Sequence, residues 1–370
     1  MSSIFGGNSD KVRAAIERGL ALAETFQDPG RQLRLLAGLN FFLGRLGDTR
    51  GAMTVAEQAG VIAQAAKHPA GTIWAKWWVG FDHHFLGNQA EAQLHLERGM
   101  TLAIELGTFN INFFVFDYRI RALVFLARTL WLRGFSDRAL RIVQKALDEA
   151  ASRGHPVSVC FSLGYASTLL LWIGDLPGAS DLIEQLIVHA RRYSLEPYLA
   201  LGIALKGELA IIREEPEAGL DLLRSALETL HAQQYNLLIP SFTRALADGL
   251  RKIGQFQEAL FTINGAVARA TKSGAQLDLS ELLRIKSEVL TMQHDRESAL
   301  NCLTEAIAVA REQSALAWEL RSTMALARML CEGDQRDQAR YTLALVYDRF
   351  TEGFETADLK LARALLEDLR

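Results

Sequence analysis

The sequence predicts an all-α protein built as an array of helical hairpins, and two regularities in the chain predict this fold. A small residue recurs where the second helix of each hairpin would begin, in most cases 40 residues after the previous one. Five positions before it stands a residue suited to a left-handed turn, most often glycine. The small residues, which we call the anchors, are Ala52, Ala92, Ala139, Ala179, Gly219, Ala259, Ala299 and Ala339.

Three further positions repeat with the anchors. Small residues in the first helix stand twelve positions earlier, at Asn40, Gly80, Ala127, Ser167, Gly207, Ala247, Ser287 and Ala327. The turn residues are Gly47, Gly87, Gly134, Gly174, Glu214, Gly254, His294 and Asp334. Apolar residues follow the anchors by four positions, at Ala56, Leu96, Val143, Ile183, Leu223, Ile263, Leu303 and Leu343. The pattern resembles the tetratricopeptide repeat (TPR), lengthened from about 34 residues to 40.

Eight such hairpins fit between residues 31 and 350, and the clearest copy spans 155–194. An apolar run ends there at Gly174 and Asp175, and an amphipathic run follows from Ala179 to Arg192. A helix followed by a tight turn and a second helix is therefore expected in every unit.

The two ends of the chain depart from this unit. Residues 1–30 fit the second helix of a truncated repeat, because the period run backwards puts an anchor at Val12. This predicts that the chain was excised from a longer protein. Residues 351–370 predict a single closing helix capped by Thr356, which repeat arrays use to cover their last apolar face.

One interval is longer than the others. Ala92 and Ala139 are 47 residues apart, and the seven extra residues fall near 107–117. This insertion carries four phenylalanines, Phe109, Phe113, Phe114 and Phe116. Because an exposed patch of this kind would aggregate, we expect it to plug the core, with a partner-binding lip as the alternative.

Composition limits the class of protein. Hydrophobic residues make up 49% of the chain and charged residues 22%, which is ample for a continuous core. A net charge of -3 offers no basic surface for direct nucleic-acid binding. Three widely spaced cysteines and an N-terminus without a signal peptide or membrane span predict a cytoplasmic protein.

The resemblance to TPR arrays also implies where a ligand would bind. Such arrays curl into a right-handed superhelix, and the first helices line its concave wall. Four positions per unit, 18, 15, 11 and 8 residues before each anchor, would form an exposed stripe. The candidate binding residues on it are Trp74, Trp77, Phe81, His84, Arg121, Arg128, Trp131, Gly164, Thr168, Glu208, Arg244, Asp248, Arg251, Arg284 and Glu288.

This stripe changes from aromatic in the early units to charged in the later ones. An arginine-lined groove beside an aromatic wall suits a ligand or peptide with anionic and apolar parts, because guanidinium offers a planar fork to carboxylate or phosphate. Arg244 and Arg284 are expected to contact the anion, and Gly164 to form the floor of a pocket. The alternative is that the charges form a solvated face or salt bridges between repeats.

Catalytic chemistry is not predicted. The chain has no GxxxxGK[ST] loop, no strand followed by GxGxxG and no HExxH motif, so we expect neither an enzyme nor a cofactor or metal. His83 and His84 are adjacent and would point about 100 degrees apart on a helix, too far to chelate one ion. Asp248 with Glu288 is the one candidate acid pair, and flanking arginines would keep both ionised.

Several segments resemble the C-terminal region of bacterial signalling proteins that carry a STAND- or AAA-type ATPase. They are LWIGD from Leu171, ALKGELA from Ala204, LLRIKSEVL from Leu282, AWELRSTMALARML from Ala317 and FTEGFETADLKLARALLEDL from Phe350. The resemblance implies a sensor arm that binds an effector or partner and regulates the ATPase and output domains of a transcriptional regulator. An adenylate cyclase-type protein, or a peptide-binding or oligomerisation scaffold without an effector, are the alternatives.

Overall fold

A computed structural model describes residues 9–107, 112–113 and 116–370. Within these residues lie eighteen α-helices. They are α1 (Ser9–Thr25), α2 (Pro29–Leu46), α3 (Thr49–Ala65), α4 (Pro69–Leu86), α5 (Gln89–Glu105), α6 (Tyr118–Leu132), α7 (Ser136–Arg153), α8 (Pro156–Ile173), α9 (Leu176–Arg192), α10 (Glu196–Ile212), α11 (Pro216–Ala232), α12 (Ile239–Lys252), α13 (Phe256–Ser273), α14 (Leu279–Met292), α15 (Arg296–Glu312), α16 (Leu316–Glu332), α17 (Arg336–Tyr347) and α18 (Ala357–Asp368).

The helices pack in sequence as consecutive hairpins, from α2 with α3 to α16 with α17, so the predicted all-α hairpin array is confirmed. We number these pairs as hairpins 1 to 8. Helix α1 packs on α2, and α18 packs on α16 and α17. The predicted phenylalanine plug falls on side chains outside the described residues. The backbone beside it forms a two-residue antiparallel ladder, Asn112–Phe113 with Phe116–Asp117, which the helical pattern did not predict.

The turn inside each hairpin adopts the left-handed conformation that the repeat predicts. Gly174 has φ 88°, and Glu214 reaches φ 63° at the equivalent position without being glycine. An aspartate caps the helix that follows in hairpins 1, 4 and 7, as where the Asp175 side chain accepts a hydrogen bond from the Gly178 amide at 3.0 Å. The turn geometry therefore belongs to the unit, and glycine only makes it easier.

The anchors mark the closest approach of two helices, as predicted. In hairpin 5, a Cβ added to Gly207 would lie 2.8 Å from the Gly219 carbonyl oxygen, and one added to Gly219 would lie 2.7 Å from the Gly207 carbonyl oxygen. Neither oxygen can move without displacing a helix. Only a residue without a side chain lets these helices approach so closely.

We expect Gly207→Ala to lower the free energy of unfolding by about 1–3 kcal/mol, because the new methyl group overpacks a backbone contact. Urea denaturation followed by circular dichroism measures the change. Gly265→Ala in α13 is the matched control, since its methyl group would meet only the flexible end of Arg269, at 3.6 Å. The control should gain up to about 1 kcal/mol from helix propensity. Equal effects at both positions would contradict the close-contact role.

The array completes a turn and closes on itself. The turns of hairpins 1 to 4 lie against segments of the later units, and we call this line of contacts the seam. Its hydrogen bonds run from Asn236 Nδ2 to Leu46 O (3.2 Å), from Leu277 N to Phe85 O (3.1 Å), from Gln89 N to Gln313 O (3.1 Å), from Arg138 N to Glu352 Oε1 (2.9 Å) and from Arg321 Nη2 to Trp172 O (2.7 Å). One apolar cluster consequently joins Leu33 of hairpin 1 to Trp318 of hairpin 8.

Helix α8 is the most apolar element of this arrangement. By length and composition alone it could cross a membrane, but 83% of it is buried inside the protein. It lies at the centre of the apolar cluster, and its neighbours on both sides are other helices of the array. Its composition is that of a core helix.

Candidate functional site

Because the seam is closed, the residues of the predicted stripe lie in the protein interior and do not line an open groove. Ten of the fifteen candidate residues are buried: Trp74, Trp77, Phe81, His84, Arg121, Arg128, Trp131, Gly164, Thr168 and Glu208. The other five, Arg244, Asp248, Arg251, Arg284 and Glu288, are partly buried. The expectation of an exposed stripe is therefore wrong, because later hairpins cover the concave wall.

Some of these residues have ordinary packing roles. The Trp77 ring fills a recess over Gly99 of α5, within its own hairpin. Gly164 is no pocket floor, because a Cβ there would lie 2.6 Å from Leu201 Cδ2 of the next hairpin. The Thr168 hydroxyl donates to the Gly164 carbonyl at 3.2 Å. Small or hydroxylated residues on this face thus serve contact between neighbouring helices.

The charged half of the stripe is neutralised within the protein. Arg284 forms a bidentate salt bridge with Glu281, with hydrogen bonds of 2.8 and 3.2 Å, and also contacts Glu288. Arg251 bridges Asp248 and Glu288 at 2.6 and 3.3 Å. Arg244 contacts Glu208. Arg244 and Arg284 are therefore already paired within the protein, so an anion that binds them must compete with these carboxylates.

Glu281 is the centre of this network. Besides Arg284, Arg321 approaches its carboxylate at 3.5 Å and pairs with Asp358 at 2.8 Å. Burial by itself would raise the pKa of Glu281, but Arg284 and Arg321 outweigh it and hold the pKa at about 2. The carboxylate is therefore charged throughout the physiological range and ties hairpins 7 and 8 to the closing helix.

The early half of the interior holds cations of a different kind. We use the term interior arginines for Arg45, Arg121 and Arg128, whose exposed fractions are 3%, 5% and 1%. Within the described part of the chain, no hydrogen-bond partner is found for Nε and Nη1 of Arg45, Nη1 of Arg121, or Nη1 and Nη2 of Arg128. No salt bridge joins them to a carboxylate there either, which distinguishes them from the later arginines.

Aromatic rings lie against these cations, in addition to the attraction of Asp82 for Arg121 and of Asp278 and Glu208 for Arg128. The Arg121 guanidinium lies 3.6 Å from the centre of the Phe81 ring, and that of Arg128 lies 4.2 Å from Trp172 and 5.3 Å from Tyr165. Such contacts return about 2 kcal/mol when desolvated, less than the several kcal/mol needed to bury an ion. Burial accordingly lowers the pKa of all three guanidinium groups, that of Arg128 to about 10.

Two of the interior arginines line a small cavity, which we call the chamber, between the first helices of hairpins 1 to 4 and the segment after α11. Its walls are Phe41, Gly44, Arg45, Phe81, Arg121, Phe161, Tyr165, Tyr235 and Leu237. The cavity has a volume of about 10 Å³, room for no more than about one water molecule. Burial raises the pKa of the Tyr165 and Tyr235 hydroxyls, which therefore remain hydrogen-bond donors.

This cavity brings together residues that the sequence reasoning predicted and others that it missed. Arg121 and Phe81 belong to the predicted stripe. Arg45 and Tyr235 do not, since Arg45 lies in the last turn of α2 and Tyr235 in the segment after α11. The chamber thus places guanidinium and hydroxyl donors among aromatic walls.

Comparison with known proteins identifies the fold. No protein-family model matches the chain, and no curated protein matches it in sequence. The structure is similar to that of a Rap protein complexed with competence and sporulation factor, with a TM-score of 0.60 and 12% identity over 98% of this chain and 100% of that one. It is also similar to the Rap conjugation gene regulator of plasmid pLS20 in complex with the Phr* peptide, with a TM-score of 0.56 and 11% identity over 98% and 94%. NprR in complex with its cognate peptide NprX gives a TM-score of 0.50 and 17% identity over 76% and 83%. The chain thus has the fold of TPR-like superhelical repeat proteins.

Proposed function

We propose that the protein is a regulatory binding module whose interior receives a peptide bearing an acidic group. The observation that carries this proposal is the set of interior arginines. An unpaired buried cation is costly, and an incoming carboxylate would supply the missing counter-charge together with charge-assisted hydrogen bonds. The aromatic walls formed by Phe41, Phe81 and Phe161 would hold the apolar part of the same ligand.

Entry of a peptide requires the seam to open. While the seam is closed, the chamber has room for no more than about one water molecule. The seam is held partly by single hydrogen bonds, such as those from Gln89 N to Gln313 O and from Leu277 N to Phe85 O, which are easily exchanged for water. A ligand that binds the open form better than the closed one shifts the population between them, and this shift would be the regulatory signal.

The similar solved structures support a peptide as ligand. The Rap conjugation gene regulator and NprR are both described as complexes with a peptide. At 11% and 17% identity they share the fold alone, so the choice of an acidic peptide depends on the interior arginines of this chain. Recognition of a partner without catalysis also agrees with the absence of a catalytic motif in the sequence.

The resemblance of several sequence segments to bacterial STAND- or AAA-type signalling proteins suggests the larger protein in which this module acts. We propose a cytoplasmic sensor arm that controls the ATPase of a bacterial transcriptional regulator. The TPR-like fold agrees with such an arm. If the arm works in this way, addition of a binding peptide should change the rate of ATP hydrolysis by the joined ATPase domain, whereas an unchanged rate would favour a scaffold.

Thermal denaturation with peptide libraries tests the binding proposal. Peptides containing Asp or Glu should raise the melting temperature, by an amount equivalent to about 2.7 kcal/mol when the peptide is at 100 times its Kd. The same peptides with Asn or Gln should bind far more weakly. The double variant Arg45→Met/Arg121→Met should lose the shift.

Arg224→Met provides the matched control, because Arg224 is exposed on α11 and pairs only at the surface with Glu258. It should retain the peptide-induced shift in full. Stabilisation by acidic and neutral peptides alike, or an undiminished shift in the double variant, would refute recognition by the interior arginines. A response to small anionic metabolites alone would replace the peptide with a small effector.

A further inference from the structure

Two histidines and a glutamate meet on the side of hairpin 2, outside the interior chamber. His83 lies in the last turn of α4, Glu91 in the first turn of α5, and His95 one turn further along α5. Residues four apart on a helix share a face, so Glu91 and His95 lie side by side. The turn at Gly87 and Asn88 brings His83 opposite them.

The three side chains are close enough to share one ion. One ligand atom from each, a ring nitrogen or a carboxylate oxygen, lies within 4.8 Å of those of the other two. The His83 and His95 ring centres are 5.6 Å apart. His95 Nε2 and Glu91 Oε2 are 4.0 Å apart. His83 and His95 are partly buried, and Glu91 is exposed, so the cluster is accessible from solvent through the carboxylate.

Ordinary structural roles account poorly for this cluster. The pair between His95 and Glu91 lies at the outer limit of a salt bridge and requires a charged imidazole. His95 Nδ1 is buried without a hydrogen-bond partner among the residues that the structure describes. Among the side chains that the structure describes, only Asn88 forms a hydrogen bond with the His83 ring, and the distance from Asn88 Nδ2 to His83 Nδ1 is long, at 3.3 Å.

We infer that His83, Glu91 and His95 form a binding site for a divalent transition-metal ion of the zinc class. Two imidazole nitrogens and one carboxylate oxygen are a donor set that Zn²⁺ accepts, at bond lengths of about 2.0–2.2 Å. Tetrahedral ligands at that distance lie about 3.3 Å apart. The ligand atoms must therefore approach one another by up to about 1.5 Å, which rotation about the side-chain bonds provides, and a fourth position is left for water.

The position of this site gives the ion a structural consequence. It would tie the end of α4 to the start of α5 across their turn, and that turn carries one of the seam contacts, Gln89 N to Gln313 O. The carbonyl of Phe85, two residues after His83, accepts another, from Leu277 N. Bound metal would thus hold the turn of hairpin 2 in the conformation that the closed seam requires. This inference does not depend on the proposed peptide.

Isothermal titration calorimetry with ZnCl₂ tests the site. The protein is first treated with a chelator to remove bound metal, and the chelator is then removed. One Zn²⁺ should bind per chain, and MgCl₂ should give no saturable heat, because Mg²⁺ prefers an all-oxygen site. His83→Gln and His95→Gln should each weaken Zn²⁺ binding by more than tenfold. Glu91→Gln, which changes an exposed side chain, should weaken it as well and keeps the test available if a histidine variant fails to fold.

His294→Asn is the control for nonspecific binding by histidine. His294 is exposed in the turn of hairpin 7 at φ 63°, a conformation that asparagine also tolerates. Its affinity for Zn²⁺ should equal that of the unmodified chain. The absence of saturable Zn²⁺ binding, or equal affinities in the His83, Glu91, His95 and His294 variants, would overturn the assignment.

Discussion

Glu281→Gln should lower the free energy of unfolding by about 3–5 kcal/mol, the largest loss that we expect from any single polar substitution in this chain. Glu281 is 2% exposed and receives two hydrogen bonds from Arg284, with Arg321 3.5 Å away. The amide would fit the same space but would leave these guanidinium groups facing an uncharged partner. Urea denaturation at pH 7 measures the change.

The same variant has a distinctive pH dependence. Because the pKa of Glu281 falls from 4.5 to about 2 on folding, its ionisation stabilises the native state above about pH 4.5 and stops doing so as the pH falls towards 2. The gap in stability between the unmodified protein and Glu281→Gln should therefore narrow between pH 5 and pH 2. A constant gap over this range would show that lost packing, and not lost charge, causes the effect.

Glu258→Gln is the control for Glu281→Gln, because it removes an ion pair at the surface and leaves the buried network intact. Glu258 contacts Arg224 at 3.2 Å, but 51% of the Glu258 side chain and 45% of the Arg224 side chain are exposed. Solvent and salt screen such a pair, so its removal should change the free energy of unfolding by no more than about 1 kcal/mol. A loss as large as that of Glu281→Gln would contradict the role of burial.

The sequence predicted the hairpins because the contacts that define them are local. The anchor at Gly219 and the small residue at Gly207 are twelve positions apart and touch within one hairpin. Any chain that repeats such a pair must repeat the contact. Periodicity therefore predicted the helices, their turns and their order, including the left-handed turn at Glu214 where glycine is absent.

Closure of the superhelix could not be predicted in the same way. The seam joins residues far apart in the chain, as in the contact of Asn236 with Leu46, and no spacing within a 40-residue unit encodes it. The predicted stripe was therefore identified by position but assigned the wrong environment. Arg45 was missed because it lies seven residues before its anchor, where a basic residue in the last turn of a helix is typical of a solvated end.

Arg128→Met should raise the free energy of unfolding, by about 1–4 kcal/mol, although it removes a large side chain from the interior. Arg128 is 1% exposed, and its bond to His84 Nε2, at 3.4 Å, leaves both terminal nitrogens without a partner among the described residues. Methionine fills most of the volume beside Trp172 and has no charge to desolvate. Thermal and urea denaturation of the two proteins measure the gain.

If Arg128 serves ligand binding, its replacement should stabilise the protein and at the same time weaken its affinity for the peptide. Arg128 shares the Tyr165 ring with the chamber, so Arg128→Met should also reduce the affinity for acidic peptides. Leu171→Met, a conservative change at a buried apolar residue of α8, should alter the free energy of unfolding by less than about 1.5 kcal/mol. If Arg128→Met instead destabilises the protein by several kcal/mol, the surrounding rings, His84 and the nearby carboxylates Asp278 and Glu208 already compensate the buried charge. The interior arginines would then be part of the core, with no need of an anion.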